Sequence, residues 1–204
     1  MSHHYWWDIF IYGFKFMIYS KDFITSDIHF EHKNIIEYSN RPFSSVEEMN
    51  DKIINNWNNI VPHDGRVYFV GDFCLSRPES FKRIRNRLNG SICLIKGNHD
   101  KINGEQAKLF EWVKDYHSDN YEDEDRTKII MCHYAFRVWD KSHFGSVNFF
   151  GHSHGSLPDL GNRQFDVGID NNSNYEPWNI GELMKIMMAR PIHKVDHHDP
   201  KNHK

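Results

Sequence analysis

The sequence predicts an α/β fold built around a largely buried sheet. Three observations carry that prediction. Short apolar runs rich in Val, Ile and Phe recur along the chain. Segments with apolar residues at helical spacing alternate with them, and Gly, Pro, Asn and Asp punctuate the joins. A chain of 204 residues amounts to one domain, large enough to bury a core without disulfide staples.

The elements follow in order. Phe23-Ile24-Thr25-Ser26 is a short β-type run ending in Asp27-Ile28-His29. Ser45 to Ile60 reads as a helix: Ser44 and Glu47 make a capping-box pattern, and Val46, Met49, Ile53, Trp57 and Ile60 recur at helical spacing. Pro62-His63-Asp64-Gly65 is a turn, and Val67 to Val70 is a buried strand ending in Gly71-Asp72. Arg77-Pro78 opens a helix through Leu88, stopped by Asn89-Gly90. Ile92 to Ile95 is a strand ending in Gly97-Asn98-His99-Asp100, and Gly104 to Val113 is expected to be helical. Asp119 to Asp125 reads as an acidic surface loop. Ile129 to Cys132 is a strand ending at His133, and Val147 to Phe150 one ending in Gly151-His152-Ser153-His154. Arg163 to Ile169 is expected to be a strand, and Trp178 to Met188 a closing helix.

Composition excludes several classes. Hydrophobic residues at 39% and aromatics at 15% argue against intrinsic disorder. A net charge of −3 draws the chain to no polyanion. Three cysteines without paired spacing argue against a disulfide framework, and Cys93 and Cys132 read as buried reduced thiols. Residues 1–16 are aromatic and apolar, yet the longest uncharged run, Ile9 to Phe14, is far short of the ~20 residues of a spanning helix. No cleavage pattern follows a basic start. The expected location is therefore cytoplasmic, with no membrane partner. Residues 1–16 read as an extension packed on the domain, or as sequence upstream of a natural start at Met17. Residues 191–204 read as a frayed, His-rich tail.

Five apolar strands thus end in residues that ligate metals: Asp27-x-His29, Gly71-Asp72, Gly97-Asn98-His99-Asp100, His133 and Gly151-His152-x-His154. The carboxyl ends of strands in an α/β sheet form one rim, where ligands bind. Glycine before Asp72, Asn98 and His152 permits tight turns and close backbone approach. Two aspartates, one asparagine and four histidines supply enough donors for two ions sharing a carboxylate. The mixture suits Mn²⁺, Fe, Zn²⁺, Co²⁺ or Ni²⁺ rather than a thiolate site or a Ca²⁺ cage.

The ordered set resembles the calcineurin-like metallophosphoesterase superfamily, in its small stand-alone bacterial and phage form. The likeness runs from about Phe23 to Met188 and includes RPFSSVEEMND, GDFCLS and FDVGIDN. It implies a four-layer α/β/β/α sandwich of two mixed sheets, with residues 17–190 as the metallophosphoesterase domain. It implies a dinuclear centre, with Mn²⁺ as the leading metal. Asp27, His29 and His154 would hold one ion, and Asn98, His133 and His152 the other. Asp72 would bridge them, and His99 would face the substrate. The Asp and Arg that follow Gly-Asp in protein serine/threonine phosphatases are absent from Gly71-Asp72-Phe73-Cys74-Leu75-Ser76, which disfavours that specialisation.

Two such ions ~3.5–4 Å apart can hold a bridging hydroxide that attacks phosphorus. His99 would act as acid for the leaving alkoxide, with Asp100 orienting it. The expected activity is hydrolysis of a phosphoester, a phosphodiester of a small nucleotide-like substrate before a monoester. The alternatives are a nuclease or end-processing enzyme of the same fold, and a non-catalytic metal-binding scaffold. Substrate grips include Asn98, His99 and Arg137. Arg41, Arg77, Lys141 and His143 are further candidates that read first as surface cations. His32 and Asn34 fit a supporting position or a plain helix start. Lys82, Arg83, Arg85 and Arg87 read as a solvated helix face before a nucleic-acid patch. A monomer or homodimer is expected.

Overall fold

A computed structural model describes residues 17–195 and 198. The expectations for residues 1–16, and for 196, 197 and 199–204, lie outside the described residues.

Among the described residues, ten strands form two mixed five-stranded sheets. One sheet has the order β1 (Met17–Ile18), β6 (His117–Tyr121), β7 (Lys128–Met131), β8 (Val147–Phe150) and β9 (Gln164–Asp166). The other has the order β10 (Trp178–Asn179), β2 (Phe23–Thr25), β3 (Arg66–Val70), β4 (Ser91–Ile95) and β5 (Trp112–Lys114). The helices are α1 (Ile35–Tyr38), α2 (Val46–Ile60), α3 (Pro78–Arg87), α4 (Gly104–Ala107) and α5 (Ile180–Ala189). The architecture is the expected α/β sandwich of two mixed sheets.

Strand alternation makes two cores. Val67, Phe69, Ile92 and Leu94 pack with Met49, Ile53 and Trp57 of α2 and with Phe81 and Ile84 of α3. Tyr68, Val70, Cys93 and Ile95 point the other way and share a second cluster with Ile129, Met131, Val147 and Phe149 of the facing sheet. Buried Trp57 anchors α2, its Nε1 donating to the Asn89 carbonyl at 3.0 Å.

Register brings the functional loops level. β2, β3 and β4 run parallel, with Thr25 beside Phe69 and Val70 beside Ile95. β7 and β8 are also parallel, and Gly151 N–H donates to the His133 carbonyl at 3.0 Å. The segment after β9 crosses to the other sheet, where Gly168 bridges Ser26. Both sheets therefore deliver loops to one end.

Several elements differ from the sequence reading. The cap of α2 is Ser45, whose Oγ accepts Glu48 N–H at 3.1 Å, while the Glu48 carboxylate reaches back to Ser44. The cap falls one residue later than expected, and because Glu48 accepts from Ser44 and not from the Ser45 N–H, the reciprocal capping box does not form. The expected helix from Gly104 to Val113 stops at Ala107, because the 112–114 segment pairs with β4 as an edge strand. Asp119 to Tyr121 are in β6 rather than a loop, paired antiparallel with β7. The strand expected to Ile169 ends at Asp166, and Ile169–Asn171 form a 3-10 turn. Trp178 and Asn179 pair with β2 before α5 begins. Cys93 is buried, but Cys132 is half-buried and outside β7. Among the described residues no helix is long and apolar enough to cross a membrane.

Candidate metal centre

The loops at that end are conformationally strained. Asp27, His29, Asp72, His152 and His154 all have left-handed backbones, with φ of 57°, 54°, 59°, 68° and 48°. Such residues cost of order 1–3 kcal/mol each and persist where their surroundings over-determine them. Here Asp27 N–H donates to the Gly71 carbonyl at 2.9 Å and His29 N–H to the Asp72 carbonyl at 3.0 Å. The Asp27 carboxylate accepts His152 N–H at 2.9 and 3.0 Å and Ser26 Oγ–H at 2.6 Å. Close approach explains two glycines. A Cβ at Gly97 would fall on the Asp72 carboxylate, and one at Gly71 on the His133 ring.

The seven expected ligands converge. Asp27, His29 and His154 form one donor set, and Asp72, His133 and His152 another. The donor atoms within each set lie within 4.8 Å of one another. Asp72 Oδ2 stands 3.4 Å from His29 Nε2 and 3.4 Å from His133 Nε2, between the two sets. Asn98 Oδ1 lies 3.0 Å from both His133 Nε2 and His152 Nδ1.

These residues fit divalent ions. His29 Nε2 is buried without a hydrogen-bond partner while facing Asp72. Burial pushes the Asp27 carboxyl up to about 7, against the positive charge of His133 and His154. Burial also drives His29 down to about 3. A cation beside Asp27 would keep its carboxylate ionised, and the lowered His29 is a neutral ring whose Nε2 lone pair is open to a metal. Burial would also raise Asp72, but His133, the His99 N–H and His29 outweigh it and hold its carboxyl at about 2. His133 is opposed by burial, yet Asp72, Asp27 and the Val70 carbonyl lift it to about 8.

Neighbouring groups aim the rings. The Val70 carbonyl lies 2.8 Å from His133 Nδ1 and leaves Nε2 toward Asp72. Asp170 Oδ2 lies 2.6 Å from His154 Nδ1 and leaves Nε2 toward Asp27. Sequence reasoning missed Asp170. The run before it, Gln164-Phe165-Asp166-Val167, is of mixed pattern, and Asp170 sits in a 3-10 turn past the end of β9, so no local signal pointed to it.

A cavity of about 550 Å³ opens over the centre. Asp72, Asn98, His99, His152 and His154 line it, with His32, Tyr38 and Ser39 on one wall. His99 is exposed, and its ring lies 5.3 Å from that of His29. Asp100 differs from expectation. Its buried carboxylate accepts the N–H groups of Asp72, Phe73 and Gly97 at 2.7, 2.9 and 2.9 Å, so it braces the turn instead of orienting His99. Arg41 is no surface cation: it is 4% exposed and paired with Asp170. Arg77 and Arg137 are exposed, and neither they nor Lys141 nor His143 line this cavity. Asn34 is the exposed cap position of α1, whereas His32 faces the cavity.

No family model matches the chain. An uncharacterized protein of Methanocaldococcus jannaschii is 50% identical over 94 residues, a stretch covering 45% of this chain and 53% of that protein. The chain thus matches about half the length of that relative. The Gene 66 protein of Mycobacterium phage L5 is 25% identical over 181 residues, 74% of this chain and 87% of that one. Among solved structures, a protein of unknown function from Aquifex aeolicus superimposes with a TM-score of 0.63 at 23% identity, over 80% of this chain and 97% of that one. The phosphoesterase Yfce from E. coli aligns with a TM-score of 0.38 at 17% identity, over 72% of this chain and 77% of that one. The Aquifex similarity establishes a shared fold, and the two-sheet α/β sandwich with its paired donor sets is what the chain itself displays.

Proposed function

We propose that the chain is a metal-dependent phosphoesterase of the calcineurin-like type, holding two divalent ions, Mn²⁺ foremost. Its preferred substrate is a small, nucleotide-like phosphodiester. One observation carries the reading: Asp72 Oδ2 stands 3.4 Å from a histidine nitrogen of each donor set. Asp27, His29 and His154 would hold one ion, Asn98, His133 and His152 the other, and Asp72 both. Such a pair supplies Lewis acidity to a phosphoryl group and lowers the pKa of water toward ~7.

The chain's own residues do the rest. His99, exposed on the cavity wall, is placed to donate to a phosphate oxygen or to the leaving alkoxide. Asp72 Oδ1 accepts His99 N–H at 2.9 Å, which couples the position of His99 to that of the carboxylate between the sets. Asn98 turns its amide oxygen toward His133 and His152. Among the described residues no lysine or arginine lines the cavity, so a singly charged diester suits it better than a doubly charged monoester.

A nuclease of this fold would be marked by a basic groove, and the Lys82–Arg87 stretch supports the small-substrate reading better. Arg83 pairs with Glu31, Arg87 with Asp51, and Arg85 donates to the carbonyls of Leu88, Gly90 and Leu109. Arg85 is held by the fold, while Arg83 and Arg87 stay exposed beside single carboxylates, as on a solvated helix face.

Hydrolysis of bis-p-nitrophenyl phosphate and p-nitrophenyl phosphate by chelator-stripped, Mn²⁺-reloaded protein tests the reading. Faster cleavage of the diester, abolished by chelation and by Asp72→Asn, is expected. Binding of metal without hydrolysis of either ester would favour the scaffold reading instead.

A further inference from the structure

We propose that Arg41 and Asp170 are positioning residues for the first donor set alone, so that the two metal positions differ in affinity. The proposal rests on the two-ion reading above.

Arg41 reaches both sides of that set from within the core. Its Nη2 donates to the Asp27 carbonyl at 2.7 Å and its Nη1 to the Ile28 carbonyl at 2.7 Å. Those carbonyls belong to the turn that holds Asp27 and His29 in left-handed conformations. The same guanidinium grips Asp170 twice, Nε to Oδ1 at 2.7 Å and Nη2 to Oδ2 at 2.9 Å. Asp170 Oδ2 in turn accepts from His154 Nδ1–H at 2.6 Å, with Ser39 Oγ at 3.3 Å from the same nitrogen. One buried ion pair therefore fixes the carbonyl side of Asp27 and the tautomer of His154. A carboxylate behind a ligating imidazole orients the ring and raises its basicity. The fork of an arginine makes the two-point grip, which a lysine cannot reproduce. Guanidinium and carboxylate cancel in charge, so Asp27 and Asp72 remain available to cations.

The second set lacks this support. The Val70 carbonyl, a neutral acceptor, stands behind His133. His152 is exposed, and its Nδ1 already faces Asn98. Among the described residues no carboxylate stands behind either ring. Apart from the shared Asp72, the first set contributes a carboxylate where the second contributes the neutral amide of Asn98.

Titration of chelator-stripped protein with Mn²⁺, following free Mn²⁺ by electron paramagnetic resonance, tests the proposal. Wild type should show two sites of unequal affinity. Asp170→Asn should weaken the tighter site about 10–100-fold and leave the weaker one in place, and Arg41→Lys should move it in the same direction. Two equal sites in wild type, or equal weakening of both in Asp170→Asn, would overturn it. Failure of folded wild type to bind Mn²⁺ would instead sink the two-ion reading itself. A second measurement needs no metal and no variant. Nitrogen-15 histidine spectra of stripped wild type should show a proton on His154 Nδ1, and a neutral His154 ring protonated on Nε2 alone would overturn the proposed role of Asp170.

Discussion

Asp100 accepts the backbone N–H of Asp72 at 2.7 Å, tying the turn after β4 to the carboxylate that stands between the two donor sets. The same side chain takes the N–H of Phe73 and of Gly97. Asp100 is buried, so these donors have no ready substitute in water. An orphaned buried donor costs about 1–3 kcal/mol. Asp100→Ala should therefore lower unfolding free energy by about 3 kcal/mol or more, and Asp100→Asn by less. Urea denaturation measures this. Unchanged stability in Asp100→Ala would remove the bracing role.

Asp72 and His99 should separate by their failures. Asp72→Asn removes the shared charge and should release metal, costing more activity than the about 10–100-fold typical of an outer partner. His99→Ala should retain both ions yet lose about 10²–10⁴-fold in turnover on esters with poor leaving groups. Metal analysis beside steady-state kinetics distinguishes the two. Metal loss in His99→Ala would make that ring a ligand or a structural support.

Metal affinity should rise with pH. An ion must displace the protons on its ligands. Asp27 carries its proton up to about 7 and His133 up to about 8 in the metal-free protein. Below those values each bound ion releases a proton, so affinity should climb up to about tenfold per pH unit per displaced proton and flatten above pH 8. Mn²⁺ titrations from pH 6 to 9 read this directly. Affinity that is flat across that range would show that neither group is displaced.

Gly97 has no room for a side chain. A Cβ there meets the Asp72 carboxylate and lies 2.6 Å from the Asp72 backbone nitrogen. Gly97→Ala should cost about 1–3 kcal/mol in stability and should displace Asp72, weakening metal binding as well. Wild-type metal affinity in this variant would mean the turn can shift without moving the centre.

Much of this was legible in the sequence because strand ends carry strong local signals. Gly71-Asp72 and Gly151-His152 each close a buried run, and parallel register places such ends side by side. The misreadings arose where tertiary contacts overrode local pattern. Residues 112–114 became a strand because β4 offered an edge, and Asp119 entered β6 despite its charge. Arg41 was misread for a related reason: no local feature tells a surface arginine from one buried against a carboxylate 129 residues away. Asp170 was hidden likewise, since its partners His154, 16 residues away, and Arg41, 129 residues away, meet it only in the fold.

Anomalous scattering from crystals of the Mn²⁺-loaded protein, recorded at the manganese edge, tests the central claim most directly. Two peaks ~3.5–4 Å apart on either side of the Asp72 carboxylate are expected. A single peak, or peaks away from Asp72, would contradict a shared two-ion centre.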